Sequence, residues 1–141
     1  MSTTTLHDQQ FSALIVDDNF ALREAIARSL ARDGWDVATA SDGLKGLEAL
    51  RGHAFDAVIT DVHMPGRGGL WLWNEALALR PALRGKFVFM SSEPLPEPPS
   101  GAFFMVKPLS LATLQSELRR IVRGAEGAKV PAREASIEAV G

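Results

Sequence analysis

Acidic, hydroxyl and cationic residues stand at the ends of four short apolar segments of this chain. They are Asp17 and Asp18 after residues 12–16, Asp61 after 57–60, Ser91 at the end of 86–91, and Lys107 after 102–106. Three carboxylates held within several ångströms of one another repel by roughly a few kcal/mol per pair at an effective dielectric constant near 20. A positive charge must therefore lie among them, and Lys107 supplies one.

The ligand types available at such a site are oxygen atoms. The chain contains no cysteine, and no two histidines stand at the spacing of metal ligands. Oxygen ligands suit Mg²⁺, or Mn²⁺ in its place. With a cation and Lys107 present, one carboxylate can act as a nucleophile towards phosphorus, because aspartyl phosphates are an established covalent intermediate. Ser91 would then donate a hydroxyl hydrogen bond to the phosphoryl oxygens.

The elements that must position these residues alternate between strand and helix patterns. Strands are predicted over 12–16, 35–40, 57–60, 86–91 and 102–106, and apolar residues at helical spacing follow Asn19, Gly43, Gly69 and Ser110. This alternation implies right-handed crossovers and a doubly wound α/β fold, with a five-stranded parallel sheet of the flavodoxin-like type. The carboxyl ends of all the strands then share one edge, where such sheets bind ligands.

Length and composition set bounds on the domain organisation. A chain of 141 residues with 46% hydrophobic residues can form one globular domain with its own core. We predict that domain over residues 12–123. Polar residues 1–11 and the Ala-, Glu- and Gly-rich residues 124–141 are predicted to be disordered.

Charge and cysteine content exclude several classes of protein. A formal net charge of -2 gives no bulk attraction to nucleic acid or to anionic lipid. The absence of cysteine excludes disulfides, thiol catalysis and Cys-ligated zinc. The chain has neither a signal segment nor an apolar run of about 18 residues. The sequence therefore predicts a soluble cytoplasmic protein without nucleic-acid or membrane partners.

As a set, these residues resemble the receiver domain of two-component response regulators, the CheY-like family. The shared pattern is an Asp pair after the first strand, Asp61-x-x-Met64-Pro65 and Gly69 after the third, Ser after the fourth and Lys107-Pro108 after the fifth. The similarity runs from about Ser12 to Arg123. It implies a CheY-like fold and a signalling role as a phosphoacceptor. By the same resemblance, the protein is not an enzyme, apart from catalysing its own phosphorylation and dephosphorylation.

The resemblance also implies a role for each site residue. By this resemblance Asp61 is the phosphoacceptor and a metal ligand, Asp18 is a direct Mg²⁺ ligand, and Asp17 is a ligand largely through water. The His63 backbone carbonyl is a further ligand, and Lys107 is the phosphoryl-binding cation. Ser91 is the switch hydroxyl, Phe104 is the switch aromatic, and Pro108 follows a cis peptide bond. The implied phosphoryl donor is a histidine kinase or a histidine phosphotransfer protein. A downstream protein of unknown identity would receive the signal.

The segment between the fourth and fifth predicted strands departs from the family pattern. Residues 92–101 contain Pro94, Pro96, Pro98 and Pro99. Each proline removes a backbone donor and clashes with the preceding helical turn, so we expect a polyproline-like loop in place of the family's fourth helix. In the family, that helix helps to form the surface that passes the signal to a partner.

The end of the chain leads to a second expectation about organisation. Residues 124–141 are too few to form a DNA-binding module with its own core. We therefore expect a stand-alone receiver that signals by protein contact or acts as a phosphoryl carrier.

Two alternatives remain open from the sequence. A small Mg²⁺-dependent phosphohydrolase would also use an Asp nucleophile, but only His63 stands two residues after Asp61, where a general acid is needed. A docking domain with a vestigial site is disfavoured because every expected charged residue is present.

Overall fold

Strands and helices alternate along the part of the chain that the structure describes. A computed structural model describes residues 10–127, with side chains for residues 10–124. The strands are β1 (Ser12–Val16), β2 (Asp36–Ala40), β3 (Ala57–Asp61), β4 (Phe87–Ser91) and β5 (Phe103–Val106). The helices are α1 (Phe20–Arg32), α2 (Gly43–Gly52), α3 (Gly69–Leu79) and α4 (Leu111–Gly127), with a 3₁₀ helix at Pro81–Lys86. The predicted alternation is confirmed.

The strands form one parallel sheet in the order β2-β1-β3-β4-β5. The chain moves outward from β1 to β2, crosses back to β3, and then continues in the other direction. The strand order therefore reverses between β1 and β3, which is where doubly wound sheets bind ligands at the carboxyl ends of the strands. The predicted doubly wound α/β fold is confirmed.

Each face of the sheet packs against its own pair of helices. Leu14 of β1 joins Leu72 of α3 in a cluster that α2 also contributes to. Its neighbour Ile15 points to the other face and joins Ile26 of α1 and Leu118 of α4. Strands covered on both faces have no polar side, which explains why β1, β3 and β4 are buried throughout. This packing fixes the positions of their carboxyl ends.

The β4–β5 connection, residues 92–102, is formed by bends and a turn and is called the proline loop below. Leu95 packs against the α2/α3 cluster. At the other end, Arg84 Nη1 donates a hydrogen bond to the Ser100 carbonyl at 3.3 Å. Gly101 beside it has φ +91°, a conformation that favours glycine, and a Cβ there would lie 3.1 Å from Arg84 Cγ. The proline loop is therefore attached to the domain at its middle and at its carboxyl end.

The structure differs from the predicted domain at both ends. α4 continues to Gly127, past the predicted end at Arg123, although two of the four added residues are glycines. A helix that has already formed can add residues without a new nucleation step. Phe11, predicted to be in the leader, packs against Trp35 with ring centroids 5.9 Å apart. The rest of the predicted leader and tail, 1–9 and 128–141, lies outside the described residues. Among the helices within 10–127, none is long and apolar enough to cross a lipid bilayer.

Candidate functional site

Asp17 lies directly after β1, and hydrogen bonds restrain both its backbone and its carboxylate. Its backbone N–H donates to the Ala40 carbonyl at 3.1 Å, which continues the pairing with β2. Its Oδ1 accepts the Asn19 backbone N–H at 2.8 Å, and Asn19 in turn caps α1 by accepting the Leu22 N–H at 3.0 Å. Asp17 is fully buried, whereas Asp18 is exposed. The β1–α1 turn thus presents one fixed carboxylate and one that faces solvent.

Asp61 is the last residue of β3 and is only 6% exposed. Close packing of the following loop against its backbone fixes its position. The Gly69 N–H donates to the Val62 carbonyl at 2.9 Å, and a Cβ on Gly69 would collide with the Asp61 carbonyl oxygen. Thr60 Oγ1 donates to that same oxygen at 3.0 Å. Glycine at position 69 therefore allows α3 to begin against the end of β3.

Lys107 joins two of the carboxylates. Its backbone N–H donates to the Ser91 carbonyl at 2.7 Å, one residue beyond the end of β5. From there its Nζ lies 3.1 Å from Asp17 Oδ2 and 3.4 Å from Asp61 Oδ2. One ammonium group therefore neutralises part of the charge of two buried carboxylates.

Burial and the neighbouring charges together shift the pKa values of Asp61 and Lys107. Burial raises the pKa of the Asp61 carboxyl; Lys107 opposes that rise through its charge, and the charge of Asp17 adds to it. Burial alone would lower the pKa of the Lys107 ammonium. The hydrogen bond and charge of Asp17, with the charge of Asp61, outweigh that effect and leave the Lys107 pKa raised. The site therefore stabilises the protonated form of Lys107, whereas the ionised form of Asp61 remains unfavourable beside the buried Asp17.

The three carboxylates can hold a divalent cation between them. One oxygen from each of Asp17, Asp18 and Asp61 lies within 4.8 Å of the others. The donor set is made of oxygen atoms only and carries excess negative charge. The acidic cluster therefore fits the Mg²⁺ site of a receiver domain.

The remaining predicted site residues lie on β4, on β5 and in the adjoining loops. Asp61 is opposite Met90 in the β3–β4 register, so Ser91 lies one residue further towards the carboxyl edge. Ser91 is fully buried, and its Oγ accepts the Glu93 backbone N–H at 3.2 Å. Phe104 is half-buried beside Phe89 on the α2/α3 face.

Two further predicted features follow strands β3 and β5. The His63 side chain is exposed, and the residue lies two positions after Asp61. The Lys107–Pro108 peptide bond is cis.

Two arginines at this edge were not identified from the sequence. Arg23 Nη1 donates to the Asp17 carbonyl at 2.7 Å. Arg67, in the β3–α3 loop, stacks on Trp71 at 5.0 Å, and its carbonyl accepts the Gly43 N–H at 2.9 Å. Helical spacing places Arg23 on the polar face of α1. The available signal was its position four residues after the helix cap Asn19, which directs it back towards the strand end.

Comparison of the sequence with known proteins identifies relatives. Residues 13–93, more than half of the chain, match the response regulator receiver domain family. Response regulator MprA of Mycobacterium sp. (strain KMS) is 44% identical over 57 residues, which cover 40% of this chain and 25% of MprA. The probable transcriptional regulatory protein TcrX of Mycobacterium tuberculosis (strain ATCC 25618 / H37Rv) is 27% identical over 121 residues, 82% of this chain and 51% of TcrX. The chain thus spans a quarter to about half the length of these curated relatives.

Solved structures share the fold. A CheY-like response regulator receiver domain protein from Methanospirillum hungatei JF-1 is 23% identical with a TM-score of 0.79, covering 85% of this chain and 99% of that one. Chemotaxis protein CheY4 of Vibrio cholerae is 26% identical with a TM-score of 0.74, covering 79% of this chain and 98% of that one. With its sequence match, its strand order and its acidic edge, the chain belongs to the response regulator receiver domain family.

Proposed function

We propose that this receiver domain accepts a phosphoryl group on Asp61 in a Mg²⁺-dependent reaction and signals by contact with another protein. The observation that carries the proposal is the position of Lys107 Nζ, 3.4 Å from Asp61 Oδ2 and 3.1 Å from Asp17 Oδ2. A cation fixed beside a nucleophilic carboxylate, at the ligand-binding edge of the sheet, is suited to binding phosphoryl oxygens. Receiver domains are in general signalling domains and not classical enzymes.

The chemical step requires little from the protein beyond positioning and charge. An Asp61 carboxylate oxygen attacks phosphorus, and an O–P bond forms. If the donor is a phosphohistidine of a kinase or phosphotransfer protein, the P–N bond breaks and its electron pair returns to the imidazole nitrogen. The Lys107 ammonium, already beside Asp61, pairs with a phosphoryl oxygen as negative charge gathers there.

The structure favours different parts for the two carboxylates after β1 in holding Mg²⁺. Both Asp17 oxygens already accept hydrogen bonds, Oδ1 from the Asn19 N–H and Oδ2 from Lys107. Asp18 is exposed and its carboxylate faces solvent. We therefore propose that Asp18 and Asp61 would bind Mg²⁺ directly and that Asp17 would act largely through water. The His63 backbone carbonyl would be a further ligand, as the family resemblance implies. When bound, Mg²⁺ would supply positive charge that offsets the negative charge of the phosphoryl oxygens.

The proposed route for the signal begins at Ser91. Its hydroxyl accepts the Glu93 N–H, which ties the start of the proline loop to the end of β4. We propose that the proline loop takes the place of the family's fourth helix, and that a phosphoryl group on Asp61 draws the Ser91 hydroxyl away from Glu93. The loop start and Phe104 then rearrange, and the downstream protein reads that change.

The proposal can be tested with acetyl phosphate as the phosphoryl donor. Incubation with Mg²⁺ should add one phosphoryl group to the intact protein, and EDTA should prevent the addition. A mass that stays unchanged with Mg²⁺ and donor present would count against the proposal. Transfer from purified histidine kinases and phosphotransfer proteins would then identify the natural donor.

A further inference from the structure

We propose that Arg23 is a positioning residue that orients the Asp17–Asp18 peptide group for divalent-cation binding. The inference rests on the proposed function, because it concerns the Mg²⁺ ligands of the same site. It assigns a role to a residue outside the set of site residues that the sequence predicted.

The contact with the site is made by the guanidinium group. Arg23 Nη1 donates a hydrogen bond of 2.7 Å to the Asp17 carbonyl oxygen. That carbonyl belongs to the peptide group that joins Asp17 to Asp18. A hydrogen bond to this oxygen restrains the orientation of the peptide plane. The Asp18 Cα lies in that plane, so the position from which the Asp18 side chain extends is restrained as well. Arg23 therefore acts on the backbone between the two carboxylates.

Asp18 depends on this bond more than Asp17 does. Asp17 is also held through its N–H by Ala40 and through its carboxylate by Asn19 and Lys107. Asp18 is exposed, so packing does not restrain its side chain. An exposed carboxylate binds a cation more tightly when its backbone is already in the bound orientation, because less conformational freedom is lost.

An exposed aromatic residue holds Arg23 in place. Phe20, in the first turn of α1, is 65% exposed, and the Arg23 Cζ lies 5.3 Å from its ring centroid. Stacking of a guanidinium on an aromatic ring restricts the arginine side chain and adds cation–π attraction. The pair gives a structural reason for a large apolar side chain in solvent beside the acidic cluster.

The sign of the effect on Mg²⁺ affinity distinguishes positioning from simple electrostatics. Removing a positive charge near three carboxylates should, by Coulomb attraction alone, tighten cation binding. Loss of positioning should weaken it, and removal of a residue that orients a metal ligand typically costs about tenfold in affinity or more. We therefore expect Arg23→Ala to raise the Kd for Mg²⁺ about tenfold, as followed by amide chemical shifts of the full chain.

Two further variants serve as controls. Arg28→Ala removes an exposed arginine from the same helix and should leave the Kd unchanged or slightly lower. Arg23→Lys retains the charge and one donor group, and its Kd should lie between those of the wild type and Arg23→Ala. An amide spectrum with native dispersion shows that each variant is folded.

The outcomes separate this inference from the function beneath it. Arg23→Ala that is folded and binds Mg²⁺ as tightly as the wild type, or more tightly, overturns the positioning role. If Arg23→Ala does not fold, Arg23→Lys decides, and a wild-type Kd in that variant rejects the inference. A wild-type chain without any Mg²⁺ response contradicts the proposed function itself.

Discussion

The Lys107 ammonium lies 3.4 Å from the Asp61 carboxylate while it also donates a hydrogen bond to Asp17. Asp17 follows β1 and Lys107 follows β5, and these two strands do not pair with each other. Residues from both therefore contribute to the environment of Asp61 at the end of β3. Without Lys107, two buried carboxylates would face each other with no cation between them.

Replacing Lys107 should accordingly destabilise the fold. In EDTA, we expect Lys107→Met to lower the free energy of unfolding by about 2 kcal/mol, less than for a fully buried pair because the Lys107 side chain is 19% exposed. Urea denaturation measures this change, and Mg²⁺ should restore part of the loss. Lys86→Met, directly before the start of β4, is the control and should change stability much less. Equal losses in both variants would argue against a special role for the Lys107 pairs.

Neutralising Asp61 should have the opposite effect on stability in the absence of metal. The raised pKa of the Asp61 carboxyl means that its ionised form is less favourable in the folded protein than in the unfolded chain. Asp61→Asn removes that charge, and its repulsion from Asp17, while Lys107 keeps its bond to Asp17. Urea denaturation at neutral pH in EDTA should show a higher midpoint for Asp61→Asn than for the wild type. A lower midpoint would show that the Lys107–Asp61 attraction outweighs burial.

Gly69 should be sensitive to the addition of a single methyl group. A Cβ there would collide with the Asp61 carbonyl and lie 3.2 Å from Thr60 Oγ1. We expect Gly69→Ala to cost about 2 kcal/mol, as overpacking typically does. Gly52→Ala is a matched control, because nothing lies within 4 Å of its added Cβ. If both substitutions have the same effect on the urea midpoint, the close approach of α3 to Asp61 is not the cause.

Ser91 should separate phosphorylation from the response of the proline loop. Ser91→Ala keeps Asp61 and Lys107 and should still accept a phosphoryl group from acetyl phosphate. Its Glu93 amide loses the 3.2 Å bond to the hydroxyl, so fast amide exchange is expected there before and after phosphorylation. In the wild type, phosphorylation should accelerate exchange at Glu93. Exchange at Glu93 that does not change on wild-type phosphorylation would contradict the proposed route of the signal.

Much of this site could be predicted because its position follows from topology. Alternation of strands and helices requires parallel pairing, and parallel pairing brings Asp61, Ser91 and Lys107 to one edge without knowledge of any contact. The residues that bridge the strands depend on register and side-chain rotamers. The sequence therefore predicted Lys107 among the carboxylates but not which of them it contacts. It also did not reveal that Arg23 reaches the Asp17 carbonyl.

The ends of the domain could not be predicted for a different reason. Phe11 gains its place from an aromatic contact with Trp35, 24 residues further along the chain, which local composition does not reveal. The composition of residues 124–127 resembles a flexible tail, yet α4 continues through them because a helix already formed extends at little cost.

The most direct test of phosphorylation at Asp61 is to determine which carboxylate carries the phosphoryl group. Asp56 immediately precedes β3 and Asp61 ends it. The Asp56 carboxylate accepts the Ser12 backbone N–H at 2.8 Å, away from the carboxyl edge of the sheet. The wild type, Asp56→Asn and Asp61→Asn are incubated with acetyl phosphate and Mg²⁺, and intact masses are recorded. One added phosphoryl group is expected on the wild type and on Asp56→Asn, and none on Asp61→Asn. Equal labelling of Asp61→Asn would contradict phosphorylation at Asp61.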